Sequence, residues 1–287
     1  MLAVYKKELQ SFFNNMTGYI FMAFLLLLTG IFTYAVNLRQ MSAQFEGVLS
    51  NVSFIFLLIT PMLTMRVISE ERRTKTDQLL YSLPLGTAKV VSAKYLAMLT
   101  VFGIAVLIMG LYPILMSFYG NFALRSAYAC LLGFFCLGGS LIAIGLFMSA
   151  LTESQIIAAV SSFGVLLVIY LMGSLANLVP PDAFASFIGF TALILVLAGI
   201  VYLMLKNVII AGIAAVVLEG VLAIVYRMNS ALFEGAFSKV LSSLSLFDRF
   251  YNFLNGVFDL TSLVYFISVA ALFVFLTVQA VEKRRWS

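Results

Sequence analysis

The sequence predicts an all-α polytopic membrane protein of about eight transmembrane helices, and three observations lead there. Apolar residues make up 63% of the chain and charged residues 10%, with a mean hydropathy of +1.10, well outside the soluble globular range. Runs of about 20 apolar residues recur along the chain, each long enough as a helix to cross a hydrocarbon core of roughly 30 Å. Polar chemistry is concentrated instead in one island between two such runs, which holds Arg66, Glu70, Glu71, Arg72, Arg73, Lys75, Asp77, Lys89 and Lys94. That is nearly a third of the charged residues, so the island is the first candidate for contact with a soluble partner.

In order, the expected spans are 17–38, 51–68, 95–118, 127–150, 156–178, 184–205, 208–226 and 261–281. Only Lys206 and Asn207 separate the sixth from the seventh, which predicts a tight hairpin over 184–226; one broken element or a re-entrant pair is the other reading. The whole chain, 1–287, reads as one membrane domain. With the N-terminus inside, twelve Lys and Arg residues fall on the inner side against five outside, the bias that cytoplasmic loops carry. Both termini are then cytoplasmic in a multi-pass plasma-membrane protein, and the formal charge of +5 reflects topology, not nucleic-acid binding.

Ahead of the first span, Leu2, Tyr5, Leu9, Phe12, Phe13 and Met16 recur at helical spacing, with Lys6, Lys7, Gln10 and Asn14 on other faces. Residues 1–16 are expected to form a helix lying in the inner interface, the alternative being a frayed lead-in to the first span. The first apolar run is too long for a signal-peptide core and no small-residue cleavage site follows it, so it is expected to be retained.

Chemistry is narrowly bounded. Cys130 and Cys136 share one apolar span, six residues apart, and read as small buried side chains. There is no histidine, so no metal site is expected, and neither a His-based triad nor a glycine-rich phosphate loop followed by lysine is present. No catalytic residue and no cofactor of the chain's own are predicted. Glu219 is the one carboxylate inside a proposed span. A central charge costs about 2.5–3.5 kcal/mol, and the Val, Ile and Leu residues around it offset this by about 3–7. Glu219 either lines a polar cavity, faces another subunit, or reaches water near the outer leaflet.

Within the island, Ser69 can cap a helix opening with Glu70 and Glu71, and Glu70–Arg73 and Glu71–Lys75 stand at supportive spacings. The helix is expected to run over 69–84, through Thr74, Thr76, Asp77, Gln78, Leu79 and Leu80, to end at Pro84, after which Thr87 can cap the next helix. Its Leu79–Leu80–Leu83 edge suits either a protein partner or lipid packing.

These residues carry a resemblance. The run from Ser69 to Pro84, followed by Lys94, resembles the E-x-R-x-x-T-x-x-x-L-L-x-x-x-P pattern of ABC-2 type transporter permeases. Leu151-Thr152-Glu153-Ser154-Gln155 is similar to a short turn of the same permeases, particularly the gliding-motility-type subgroup, as is the tail from Leu246 to Trp286. The resemblance spans most of the chain. It implies a permease subunit without its own ATPase, paired with a second permease copy or a related chain and with two cytosolic ATP-binding subunits that hold ATP and Mg. It gives Glu70, Glu71, Arg72, Arg73, Thr74, Lys75, Asp77, Gln78, Leu79 and Leu80 the role of a coupling helix docking on the ATPase, with the Glu153 turn as a smaller second contact. The family core has six spans, so the hairpin 184–226 is expected to be an insertion.

The external segment 238–259 has its own pattern: Val240, Leu244, Phe247, Tyr251, Leu254 and Phe258 form a helical stripe. The resemblance makes Phe247, Phe250, Tyr251, Leu254 and Phe258 candidates for an outer gate that dips into the membrane; the plain reading is an interfacial aromatic belt, with Phe250 and Phe253 facing lipid. Gly138, Gly139, Ala143, Gly145 and Ser149 allow close helix packing in the fourth span. Two other readings stand beside an ABC exporter: an ion-coupled secondary carrier relying on Glu219, and a membrane anchor that recruits an ATPase without transporting.

Overall fold

The computed structural model describes residues 1–76, 86–118, 122–205 and 208–286, with side chains placed except at 197, 200–205, 208–211, 214, 285 and 286. A backbone in hydrocarbon finds no water to bond, so its N–H and C=O groups must pair within the segment, and the apolar runs become helices. In chain order these are α1 (Leu2–Asn14), α2 (Thr17–Phe32, continued by a π-helical turn Thr33–Leu38), α3 (Glu46–Thr64), α4 (Ser69–Arg73), α5 (Thr87–Met109), α6 (Leu111–Ser117), α7 (Leu124–Leu151), α8 (Gln155–Leu178), α9 (Ala183–Leu205), α10 (Val208–Met228), α11 (Ala236–Leu244), α12 (Leu246–Leu254) and α13 (Leu260–Trp286).

Among the described residues, six helices are long and apolar enough to cross a membrane: Thr17–Leu38, Glu46–Arg73, Thr87–Ser117, Leu124–Leu151, Gln155–Leu178 and Leu260–Arg284. Ala215–Met228 with Ser230–Leu244, bent by 116°, makes a seventh if it counts as one broken span. The expected total of eight exceeds this, and the difference lies at α9 and α10, part of which falls outside the described residues. Three expected boundaries also move. The second span begins at Glu46 and, with a turn over 65–68, extends to Arg73; Ser69 is the first residue of α4, Ile68 holds the N-cap position, and the Ser69 hydroxyl donates back to the Met65 carbonyl instead of capping. The third begins at Thr87, placing Lys94 inside it, and Gly86, not Thr87, holds the N-cap position. Gly110 separates α5 from α6.

The chain forms two compact units. The first comprises Met1–Val168 and Leu246–Ser287 and is organised around α7, which packs against α3, α5, α12 and α13. Its centre is an aromatic cluster in which the Phe56 ring lies 4.7 Å from Phe134 and 5.5 Å from Phe102, while Phe134 lies 6.1 Å from Phe250. Glycines on α7 set how closely the neighbours come. A Cβ at Gly138 would stand 2.5 Å from the Phe102 ring, and one at Gly145 2.5 Å from the Thr64 hydroxyl. The second unit, Ile169–Ser245, pairs α9 with α10 and folds the turn Ser230–Phe233 and α11 against α9. Phe187, Phe190, Tyr226, Phe233 and Phe237 interlock there, with ring centroids 4.9–6.1 Å apart. Gly235, with φ +64°, donates its N–H to the Pro181 carbonyl at 2.8 Å and closes the turn.

Phe102 is hemmed in by Phe21, Phe56, Phe134 and Phe135 and has nowhere to move. Gly138→Ala is therefore expected to destabilise the protein by about 1–3 kcal/mol in detergent, as overpacking does. Gly164→Ala, where a Cβ meets nothing within 4 Å, should be neutral or stabilising; thermal unfolding of the two variants side by side checks this.

Candidate functional site

Lys94 lies two turns inside α5 and is only 2% exposed. Its Nζ donates to Glu71 Oε1 at 2.7 Å, to Glu8 Oε1 at 2.8 Å and to the Val67 carbonyl at 3.2 Å. An ammonium has three N–H donors, and all three are used. Removing such a charge from water costs several kcal/mol, which only close opposite charge and full hydrogen bonding recover. One side chain thus ties α1, the junction of α3 with α4, and α5.

The helix faces are cut to fit. On α1 the buried row is Val4, Glu8 and Phe12, four residues apart, so the carboxylate sits in the middle of an apolar row pressed against α5. The apolar stripe expected on α1 is mostly not this packed face: Leu2 and Met16 are exposed, and of the expected stripe Phe12 alone is buried. A second tie holds the α3–α4 junction to α7. The Ser149 hydroxyl accepts the N–H groups of Ile68 at 3.3 Å and Ser69 at 3.2 Å and donates to the Met65 carbonyl at 3.2 Å, which exhausts its bonding capacity. Four residues further on, Glu153 pairs with Arg284 from α13. These contacts bring α1, the segment 69–76, the α7–α8 turn and the end of α13 to one end of the first unit.

Glu71 turns inward to Lys94 instead of bridging to Lys75, and Arg72 is buried as well. Glu70 is half-buried, and Arg73, Thr74, Lys75 and Thr76 are exposed. The helix expected over 69–84 instead ends at Arg73, and Lys75 takes the left-handed conformation, with φ +57°, that usually falls to glycine or asparagine beyond a helix end. Asp77, Gln78, Leu79 and Leu80 lie outside the described residues.

Toward the other end of α7, about 23 Å along its axis from Ser149, α12 packs on Phe134. Its buried face is Leu246, Phe247, Phe250 and Phe253, so Phe250 and Phe253 are core residues and not the lipid-facing pair expected. Ser245 breaks the expected stripe into two helices; of its members Phe247 is buried, Leu254 half-buried, and Tyr251 and Phe258 exposed. Asp259 caps α13, accepting from the Ser262 hydroxyl at 2.6 Å and the Thr261 N–H at 2.9 Å, and these bonds hold its carboxyl below the usual range. The cap is therefore present at neutral pH and is lost as pH falls through that lowered value. In the second unit, Glu219 accepts a hydrogen bond from Thr191 at 3.2 Å across the α9–α10 pair.

A helical membrane protein with its charged groups gathered and cross-tied at one end is what the fold and site define. A match to the family described as "ABC-2 family transporter protein" covers residues 6–219, and the chain belongs to that family. It is accordingly a membrane component of an ABC transporter, a class that works with a cytosolic ATPase. No curated protein and no solved structure matches the chain.

Sequence reasoning missed Glu8 altogether and used Lys94 and Ser149 only as a motif position and a small residue. The available signal was a lysine inside an apolar run with no acid on its own helix, which must find a carboxylate elsewhere. Lys94→Met, which leaves two carboxylates facing each other, is expected to cost about 3–5 kcal/mol, while the triple variant Glu8→Leu, Glu71→Leu, Lys94→Met should recover most of the loss. Unfolding in detergent measures both, and a triple variant no more stable than the single one would contradict the account.

Proposed function

We propose that this chain is the permease subunit of an ABC exporter, in the gliding-motility-type subgroup, in which the segment 69–84 is the coupling element that docks on the ATPase. The observation that carries the reading is the Lys94 joint in a chain of this family: it links the segment after the second span rigidly to the N-terminal helix and the third span. A push on the exposed residues Arg73, Thr74 and Lys75 then reaches the third span and the N-terminal helix through contacts under 3 Å, without a flexible intermediary. The Glu153 turn is a second contact, its exposed pairing with Arg284 weak enough to exchange.

In this reading the N- and C-termini are cytoplasmic, as the cation bias and the gathering of both terminal helices at one end of the first unit support. The α9–α10 hairpin adds two spans to a six-span core, making eight, and α12, seated on Phe134, forms the outer gate with Phe247 and Phe250. A second copy or a related permease completes the transporter, and ATP and Mg are held by the partner subunits. ATP-driven closure of those subunits moves the coupling elements and alternates the opening between the permease halves.

Arg73→Glu with Lys75→Glu changes only exposed side chains and leaves the Lys94 joint intact. Affinity capture of the tagged chain from native membranes should retain an ATP-binding protein for wild type and lose it for this variant at unchanged thermal stability. If wild type captures no ATPase where a control ABC complex survives, the reading fails and the Glu219-dependent carrier takes its place.

A further inference from the structure

A cavity of about 310 Å³ opens between α1, the start of α2 and the α3–α4 junction, with Glu8 and Glu71 of the Lys94 joint in its wall. Its apolar side is Phe12 and Leu63, and its remaining charges are Lys7, Arg66 and Glu70. Among the described residues, none of these three forms an ion pair, so the cavity presents two free cations and a free carboxylate above an apolar floor. The charge of Lys7 already acts on Glu71, which partly balances the two carboxylates around one ammonium.

What lies beside the cavity identifies the medium at its mouth. Met16, Tyr19 and Ile20, at the α1–α2 joint next to Thr17 on the cavity wall, are all more than half exposed. The lip of the cavity itself is polar, with Ser11, Asn15, Thr74 and Thr76, as a headgroup requires, and the apolar belt lies beside it. An apolar belt with an outward tyrosine is the pattern of the headgroup level of a bilayer.

We propose that the cavity holds the headgroup of a zwitterionic phospholipid of the phosphatidylethanolamine type. Arg66 and Lys7 receive the phosphate, Arg66 through its planar fork of donors. Glu70 receives the primary ammonium, whose N–H groups a choline headgroup lacks and whose charge a glycerol headgroup lacks. The exposed Met16, Tyr19 and Ile20 beside the cavity take the first methylenes. The proposal needs no ATPase and does not depend on the transporter reading.

The test uses the full chain, purified in mild detergent and stripped of lipid, titrated separately with dioleoyl phosphatidylethanolamine, phosphatidylcholine and phosphatidylglycerol. Retained lipid is counted by native mass spectrometry, and thermal unfolding is followed in parallel. Phosphatidylethanolamine should bind about tenfold more tightly than either competitor, the ratio that one charge-assisted hydrogen bond supplies. Arg66→Gln should weaken all three lipids, while Glu70→Gln should weaken phosphatidylethanolamine about tenfold and so abolish its preference over phosphatidylcholine. Both side chains lie on the cavity rim outside the Lys94 joint, and an unchanged unfolding midpoint without lipid verifies that each variant folds. Equal binding of ethanolamine and choline lipids, stronger binding of phosphatidylglycerol, or a preference that survives Glu70→Gln overturns the proposal.

Discussion

A single ammonium buried among two carboxylates and a carbonyl is the constraint on which the rest of this structure depends. Lys94 cannot stay charged inside α5 unless Glu8 and Glu71 come to it, and their approach fixes the angle of α1 and the direction in which the chain leaves α3. Such an arrangement does little for net stability compared with apolar packing of the same volume, but it tolerates few alternatives, since every donor and acceptor must be matched. Ser149 repeats the logic on a neutral scale, one hydroxyl serving three backbone groups of the next helix junction.

The centre of the first unit follows a different physics. Around Gly138 and Gly145, helices approach because side-chain volume is absent on α7, and aromatic rings fill the space that remains. The polar end is thus specified by direction and charge, the middle by shape. Seated near the far end of α7, α12 uses Phe250 and Phe253 to continue the same aromatic packing outward.

Composition and run length were sufficient for the all-helical class and for the six long apolar helices, because a bilayer-length apolar run has few other solutions. Boundaries were less legible. Ser69 looks like a cap to any local rule, yet it is the first residue of α4, and the N–H groups of Ile68 and Ser69 are met by Ser149 on α7, a partner that no local sequence contains. Phe250 and Phe253 fall off a stripe drawn across Ser245, since the stripe assumes one helix where the chain makes two. Within the site, the charged island was visible but its division was not: which of Glu70 to Lys75 face inward depends on Glu8 and Lys94, 62 residues to one side and 24 to the other of Glu70, a pairing that periodicity cannot read.

The order of these residues along the chain bears on biogenesis. Synthesis runs from the N-terminus, so Glu8 and Glu71 have both left the ribosome before Lys94 appears. When the helix carrying that lysine forms, its counter-ions have already been made. The joint closes only as that helix arrives, so α1, α4 and α5 acquire their partners in a single step.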